Sequence, residues 1–342
     1  MAAGPLRVAH RAHPVKVAVG ISGGVDSAVT ALLLKERGFE VIGVTMALGR
    51  SGESAAIAEA RAAAAHLGIE FRLFDLAAEW NSNVLSYLRE TYLAGRTPNP
   101  CVRCNETVKF GLLPRLAFTS CGCEAFATGH YARVEGGRLF RGVDHAKDQS
   151  YFLYRVPADV LARTIFPLGG LTKSAVRAKA REFGLPVADK NDSQDFCGGN
   201  PMDIVGAADC PGNIVTVDGR VLGRHRGFWN YTVGKRKGLG IGGGTPYYVV
   251  RLNARRNEVV VGFREQAIVH SFEIASVVRF PGVADGPLDV FVKIRSAGEP
   301  KGPVRWNGSH VESVVGLVGV APGQSAVFYR GDEIVGGGTI VG

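Results

Sequence analysis

The 342-residue sequence has no apolar run approaching the ~18–20 residues that a membrane-crossing helix needs. The segment Met1–His13 carries Arg7 and Arg11 but no apolar signal core. No membrane span and a cytoplasmic location are therefore expected. Thiols stay reduced in that compartment, so six cysteines do not form a static disulfide framework. They read instead as metal ligands, reactive thiols or small buried hydrophobes. The sequence also lacks an internal repeat, a Walker Gly-Lys-Ser/Thr ending and the Gly-x-Gly-x-x-Gly dinucleotide fingerprint.

What is present suffices for a folded protein. Hydrophobic residues make up 46% of the chain, enough for ordinary cores, and the length suggests two or three domains. Forty Lys and Arg against 31 Asp and Glu leave a net charge of +9. That balance suits a polyanionic partner, although a merely solvated basic surface has the same composition.

Residues 1–14 read as a disordered arm. From Val15 short Val-rich runs alternate with helical periods: a strand at 15–21, a helix at 27–37, a strand at 41–46, an Ala-rich helix at 53–67 and a strand at 71–76. A helical stretch near 79–93, a helix after Asn105, a strand at 125–128 and a basic helix at 171–184 follow. Alternating strands and helices predict an α/β fold with a parallel sheet. After about Asp203 the helical periods vanish. Short strands between turns, such as 214–217, 247–252, 258–261, 289–294, 311–318 and 325–329, predict a small antiparallel β-barrel.

The first strand runs into Gly20-Ile21-Ser22-Gly23-Gly24-Val25-Asp26-Ser27, which opens a helix. Glycines let backbone approach an anion, and the first-turn amides of the helix point at it. Ser22 and Ser27 add hydroxyl donors. A second informative stretch is Thr97-Pro98-Asn99-Pro100-Cys101-Val102-Arg103-Cys104-Asn105. Its prolines stiffen the approach, and Cys104 is expected close to a helix start, where the dipole lowers a thiol pKa; Arg103 is expected to add positive charge. About ninety residues on, Cys197 sits in a Gly-bordered loop. Cys121, Cys123 and Cys210 are read as bystanders.

Ser22–Ser27 resembles the signature of the PP-loop ATP pyrophosphatase superfamily. With Thr97–Asn105, Asp192–Gly199, Ala127–Tyr131, Lys147–Tyr154, Gly234–Gly240 and Pro322–Val327 in order, the chain resembles the tRNA-specific 2-thiouridylase family. The resemblance implies a PP-loop domain over 15–202, a small middle domain over 203–265 and a C-terminal β-barrel over 266–342. It implies ATP with Mg²⁺, tRNA as substrate, a cysteine desulfurase or sulfur-carrier protein as donor, and a monomer. ATP would be held by Gly20, Ile21, Ser22, Gly23, Gly24, Val25, Asp26, Ser27, Met46 and Gly129. The wobble uridine would be adenylated at O2, and Asp26, Cys104 and Cys197 would be catalytic. In the implied relay Cys197 carries a persulfide, and Cys104 attacks, releasing sulfide or closing a disulfide. Contacts with tRNA would come from Asn99, Pro100, Cys101, His130, Lys147, Asp148, Gln149, Arg295, Ser296 and Gln324. Many members of the family carry Asp where this chain has Cys101. Cys101, Cys104 and Cys197 therefore also match the three thiolates of a 4Fe–4S cluster with one open iron, and both sulfur routes stand.

Overall fold

The computed structural model describes residues 14–50, 53–185, 188, 201–206, 209–242 and 244–341. The expected N-terminal arm, apart from Pro14, and Cys197 with its loop lie outside the described residues. Two compact units form: residues 1–83 with 101–196 and 332–334, and residues 84–100 with 197–331 and 335–342.

The first unit is built on a parallel sheet of β1 (Lys16–Gly20), β2 (Glu40–Ala47), β3 (Glu70–Asp75), β4 (Ala125–Ala127) and β5 (Thr164–Ile165) in the order β3-β2-β1-β4-β5. Val17 of β1 pairs with Val41 on one side and Ala125 on the other, so a run apolar on both faces occupies the centre. Helices α1 (Val25–Glu36), α2 (Glu53–His66), α3 (Leu113–Cys121) and α4 (Lys173–Glu182) complete the unit. Helix α1 is apolar nearly all round because it is enclosed: Val29, Ala31 and Leu34 are fully buried and share a core with Val176 and Ala180 of α4. The central strand delivers the chain straight into α1, at the carboxyl end of the sheet where open α/β folds place their ligands.

A hairpin, Ala132–Glu135 with Arg138–Arg141, extends this unit. Phe140 of the hairpin pairs with Glu333, and the Arg141 amide donates to the Asp332 carbonyl at 2.9 Å.

The second unit holds two β structures with separate cores. Strands β6 (Gly212–Thr216), β7 (Val221–His225), β8 (Tyr248–Asn253) and β9 (Glu258–Gly262) form a sheet in the order β8-β9-β6-β7. Its apolar face gathers Ile214, Trp229, Leu239, Val249, Val259 and Val261. Strands β10 (Ile268–Arg279), β11 (Leu288–Lys293), β12 (Lys301–Asn307), β13 (His310–Val318), β14 (Ser325–Arg330) and β15 (Glu333–Val341) follow in the order β10-β13-β12-β11-β14-β15. Pairing of β10 with β15 closes the barrel and leaves no open edge. Trp306 stacks on Phe328 at 4.3 Å in its interior. No helix of the described residues is long and apolar enough to cross a membrane.

Candidate active site

The loop between β1 and α1 is shaped by its own hydroxyls. Ser27 Oγ donates to the Gly24 carbonyl at 2.9 Å, and the Ser22 amide donates to Ser27 Oγ at 3.2 Å. Gly23 has φ +74°, and a Cβ there would lie 2.7 Å from the Cβ of Glu59. Any side chain at Gly23 would be both strained and blocked. Gly24 opens α1 with no side-chain cap, so no side chain covers the first-turn amides. A capless helix start bordered by two glycines and two hydroxyls is a cradle of the size and sign of a phosphate group. Met46, at the end of β2, and Gly129, after β4, are held in the same unit. A Cβ on Gly129 would lie 2.8 Å from the backbone of Asp26, so this strand end packs directly under the loop.

Asp26 is the loop's only acid, and its carboxylate is held from two sides. Tyr131 donates its hydroxyl to Oδ1 at 2.8 Å, and Lys173 Nζ reaches both oxygens at 2.8 Å. Lys173 begins α4, which Thr172 caps, and its side chain is only 11% exposed. Its amide donates to Asp144 Oδ2 at 2.9 Å. Residue order marks Lys173 only as part of a basic helix. The structure turns it inward, onto the phosphate loop. Its position one residue past a capping threonine was the available signal, because a first-turn side chain lies over the start of its helix.

The residues Lys147, Asp148 and Gln149 divide by burial. Lys147 is exposed. Asp148 has a side chain 0% exposed, accepting from the Gly142 and Ser150 amides at 3.2 and 3.1 Å and lying 3.5 Å from Arg141 Nε. Gln149 Oε1 accepts from the Tyr131 amide at 3.1 Å. Asp148 and Gln149 thus brace the segment that carries Tyr131 to Asp26.

Cys101 and Cys104 sit on the helical turn Pro100–Cys104, which continues as a π-helical turn over Asn105–Lys109. The helix starts before Cys101, so the first-turn position belongs to Cys101 and not, as expected, to Cys104. Cys104 is 1% exposed. Arg103 donates to the Asn83 carbonyl at 3.0 Å and to Glu106 at 3.4 Å, and Glu106 also pairs with Arg155 at 2.8 Å. Lys109 is a cation beside both thiols. Burial lowers the pKa of its ammonium, and Cys104 and Cys101 act in the opposite direction. A lysine five and eight positions after the two helical cysteines was a signal that sequence reasoning passed over.

His130 connects the two halves. Its Nδ1 lies 2.6 Å from Thr128 Oγ1, and its ring packs against Phe110 and Phe166 at 5.5 and 6.0 Å. Burial, then the Lys109 charge, lower its pKa well below the usual 6.5. The folded chain therefore holds a neutral imidazole, whereas the unfolded chain takes up a proton near 6.5. Stability from this group is complete above that pH and is lost as pH falls below it. Urea midpoints measured between about pH 5 and 8 should fall on the acid side, and less steeply in His130→Asn. Equal slopes would show that the buried ring does not set the acid limit.

The remaining sequence-marked residues lie in the second unit or outside the described residues. There Asn99 donates to Ser325 Oγ at 3.4 Å, and Gln324 Nε2 donates to the Pro98 carbonyl at 2.6 Å, which brings Asn99, Pro100 and Gln324 together. Arg295 and Ser296 are exposed on the barrel. Cys197 lies outside the described residues. Among the bystanders, Cys123 is buried, and burial pushes its thiol up to about 11. Among the described residues no group of three His, Cys, Asp or Glu side chains is placed to hold a metal.

Three family models match the chain in order: a tRNA methyl transferase HUP domain over residues 15–198, a tRNA methyl transferase PRC-barrel domain over 203–263 and an aminomethyltransferase beta-barrel domain over 269–340. The tRNA-specific 2-thiouridylase MnmA of Endomicrobium trichonymphae is 41% identical, over 96% of this chain and 99% of its own. That of Methylorubrum populi is 44% identical, over 96% and 94%. A 4-thiouridine synthetase solved with RNA and ATP is 22% identical with a TM-score of 0.39, covering 52% of this chain and 43% of that one, a likeness too slight to weigh. Full-length identity of this order, over a chain that carries the phosphate loop and the cysteine helix in place, makes the protein a member of the tRNA-specific 2-thiouridylase family.

Proposed function

We propose that this chain converts the wobble uridine of tRNA to 2-thiouridine at the expense of ATP. The observation that carries the reading is the shared segment Thr128–Tyr131. It braces the phosphate loop through Tyr131 and Gly129, and it meets the cysteine helix through His130. An adenylating site and a thiol site back to back fit a reaction in which oxygen is activated and then replaced by sulfur.

In the first step uridine O2 attacks the α-phosphorus of ATP. The bond to the β-phosphate breaks, and pyrophosphate stays on the amides of residues 22–27 with Ser22 and Ser27. Lys173, held at the mouth of the loop, offsets the charge of the leaving pyrophosphate. Mg²⁺ supplies further charge neutralisation when bound, and Asp26 is the carboxylate within the loop suited to it. In the second step a persulfide on Cys197 attacks C2 and AMP leaves. The Cys104 thiolate then attacks the Cys197 sulfur. The sulfur–sulfur bond breaks, its electron pair goes to the uridine sulfur, and a Cys104–Cys197 disulfide forms. External thiol reduces that disulfide, and a cysteine desulfurase or sulfur carrier recharges Cys197. Lys109 stabilises Cys104 as the thiolate. An iron–sulfur cluster would draw on Cys101, Cys104 and Cys197, of which Cys197 lies outside the described residues; the steps above are those of the persulfide route.

The test is incubation with unmodified tRNA, Mg·ATP and a persulfide source, followed by digestion and mass analysis. We expect 2-thiouridine, formed equally by protein purified without iron. ATP turnover that ignores tRNA would instead indicate a small-molecule substrate, and activity that tracks iron content would replace the persulfide by a cluster.

A further inference from the structure

The thiol relay above leaves Cys101 unused, yet Cys101 stands three residues from Cys104 on one helical turn, Pro100–Cys104. Residues three apart on an α-helix are surface neighbours, with Cα atoms about 5 Å apart. A disulfide needs a Cα separation of roughly 4.4–6.8 Å, so this turn accepts one with little movement of the backbone. Lys109 lies beside both thiols, which agrees with their facing the same side. Cys121 and Cys123 are a different kind of pair, because Gly122, at φ +66°, ends the helix between them.

The two thiols differ in access. Cys104 is 1% exposed, whereas Cys101 is only half-buried. Thiol–disulfide exchange proceeds by direct attack of a thiolate on a disulfide sulfur. A disulfide that holds Cys104 therefore presents an external thiol with a buried sulfur. Cys101 is already inside that barrier. As a neighbour on the same turn it acts at an effective concentration of millimolar or more. A Cys-x-x-Cys beside a βαβ pattern is also the usual form of a dithiol redox motif.

We propose that Cys101 is the resolving thiol for Cys104. The inference rests on the thiol relay proposed above and divides its last step in two. First, the Cys101 thiolate attacks the Cys104 sulfur of the Cys104–Cys197 disulfide. The bond to Cys197 breaks, its electron pair leaves with the Cys197 sulfur, and a Cys101–Cys104 disulfide remains. Second, an external dithiol attacks the half-buried Cys101 sulfur. Two electrons and two protons pass to Cys101 and Cys104, and the dithiol leaves as its own disulfide. Oxidation is thus moved from a buried sulfur to an accessible one, and Cys197 is returned for recharging before any reductant arrives.

Peptide mass analysis tests it. Trypsin cuts after Arg96, Arg103 and Lys109, so the two thiols fall on separate peptides, Thr97–Arg103 and Cys104–Lys109. A Cys101–Cys104 disulfide joins them. Wild type equilibrated in mixtures of oxidised and reduced dithiothreitol, without tRNA, should give the joined pair. Wild type quenched with an alkylating agent during turnover with tRNA, Mg·ATP and a persulfide source, but no dithiol, should give it too. Cys101→Ser should instead leave Cys104–Lys109 joined to the peptide that carries Cys197. With dithiol present, its steady-state rate should fall by about tenfold or more. Its unfolding midpoint checks the fold, and the wild-type peptides decide the matter if that check fails. Peptides that never join in the wild type would overturn the proposal, whether or not the working site holds iron. So would a folded Cys101→Ser that keeps the wild-type steady-state rate. Peptides that join in dithiothreitol, from a wild type that makes no 2-thiouridine, would instead sink the thiolation reading and with it the resolving step.

Discussion

Cys104→Ser should abolish 2-thiouridine formation, by about a thousandfold or more, while pyrophosphate release in the presence of tRNA persists. Serine fills nearly the same space, so the 1%-exposed site is neither emptied nor crowded. What changes is the acidity of the attacking group. A serine hydroxyl is a far weaker acid than a cysteine thiol, and a neutral hydroxyl does not open a sulfur–sulfur bond. The residues proposed for adenylation are spared, because Tyr131 and Lys173 hold Asp26 at the phosphate loop, whereas Cys104 lies on the helical turn Pro100–Cys104. Adenylated tRNA should accumulate and appear as a mass increment of AMP on the RNA. Measuring pyrophosphate and thionucleoside in one reaction separates the steps. A serine variant that still makes 2-thiouridine would remove Cys104 from the relay. One that loses pyrophosphate release as well would merge the two sites that the structure separates.

The second large effect is at Lys173. Its ammonium is 2.8 Å from both oxygens of Asp26 in a site where the side chain is 11% exposed. Lys173→Gln leaves the Asp26 carboxylate with Tyr131 alone and sets an uncompensated negative charge beside the place of the polyphosphate. Loss of one oriented charge at a developing anion typically costs a factor of about 10²–10³ in rate. We expect a fall of that order in kcat/KM for ATP. The rate at which Cys104 is alkylated should not change, since the lysine acts on phosphate and not on sulfur. A drop confined to KM would mean that Lys173 only helps hold ATP, and no drop at all would return it to the role of a solvated helix residue.

Much of this architecture could be read from residue order, for reasons that lie in particular residues. Lys16–Gly20 is apolar on both faces because both faces of a central parallel strand are covered. Gly23, Gly24 and the two serines are recognisable because an anion cradle needs small residues and hydroxyls at that spacing. The last strand, β15, was harder. Glu333–Val341 holds three consecutive glycines, which argue against a strand by propensity. They are there because a Cβ on Gly336 would stand 2.7 Å from the ring of Trp306, so the barrel closes only with bare backbone at that point. Strand β12 was hidden for a related reason, since its Lys301, Gly302 and Pro303 look like a turn until their partners in β11 are known. In the site itself, Lys173 and Lys109 were missed because each acquires its role from a partner far away in sequence or on an unexpected helical turn. Arg103, adjacent in sequence to Cys104, also has partners that residue order does not reveal, Glu106 and the Asn83 carbonyl.

The small pairing of Glu333 with Phe140 bears on how the protein is made. Asp332–Ile334 belong to the nucleotide-binding unit, where Arg133 and Arg138 reach Asp332 and Glu333 at 3.4 and 3.2 Å. Glu333 follows Phe140 by 193 residues. The first unit thus takes part of its contacts from residues translated well after the rest of it. A fragment cut at residue 198, where the first family match ends, lacks them altogether. Translation order and structural order part here: the unit synthesised first is completed by residues that emerge only after the middle sheet and most of the barrel.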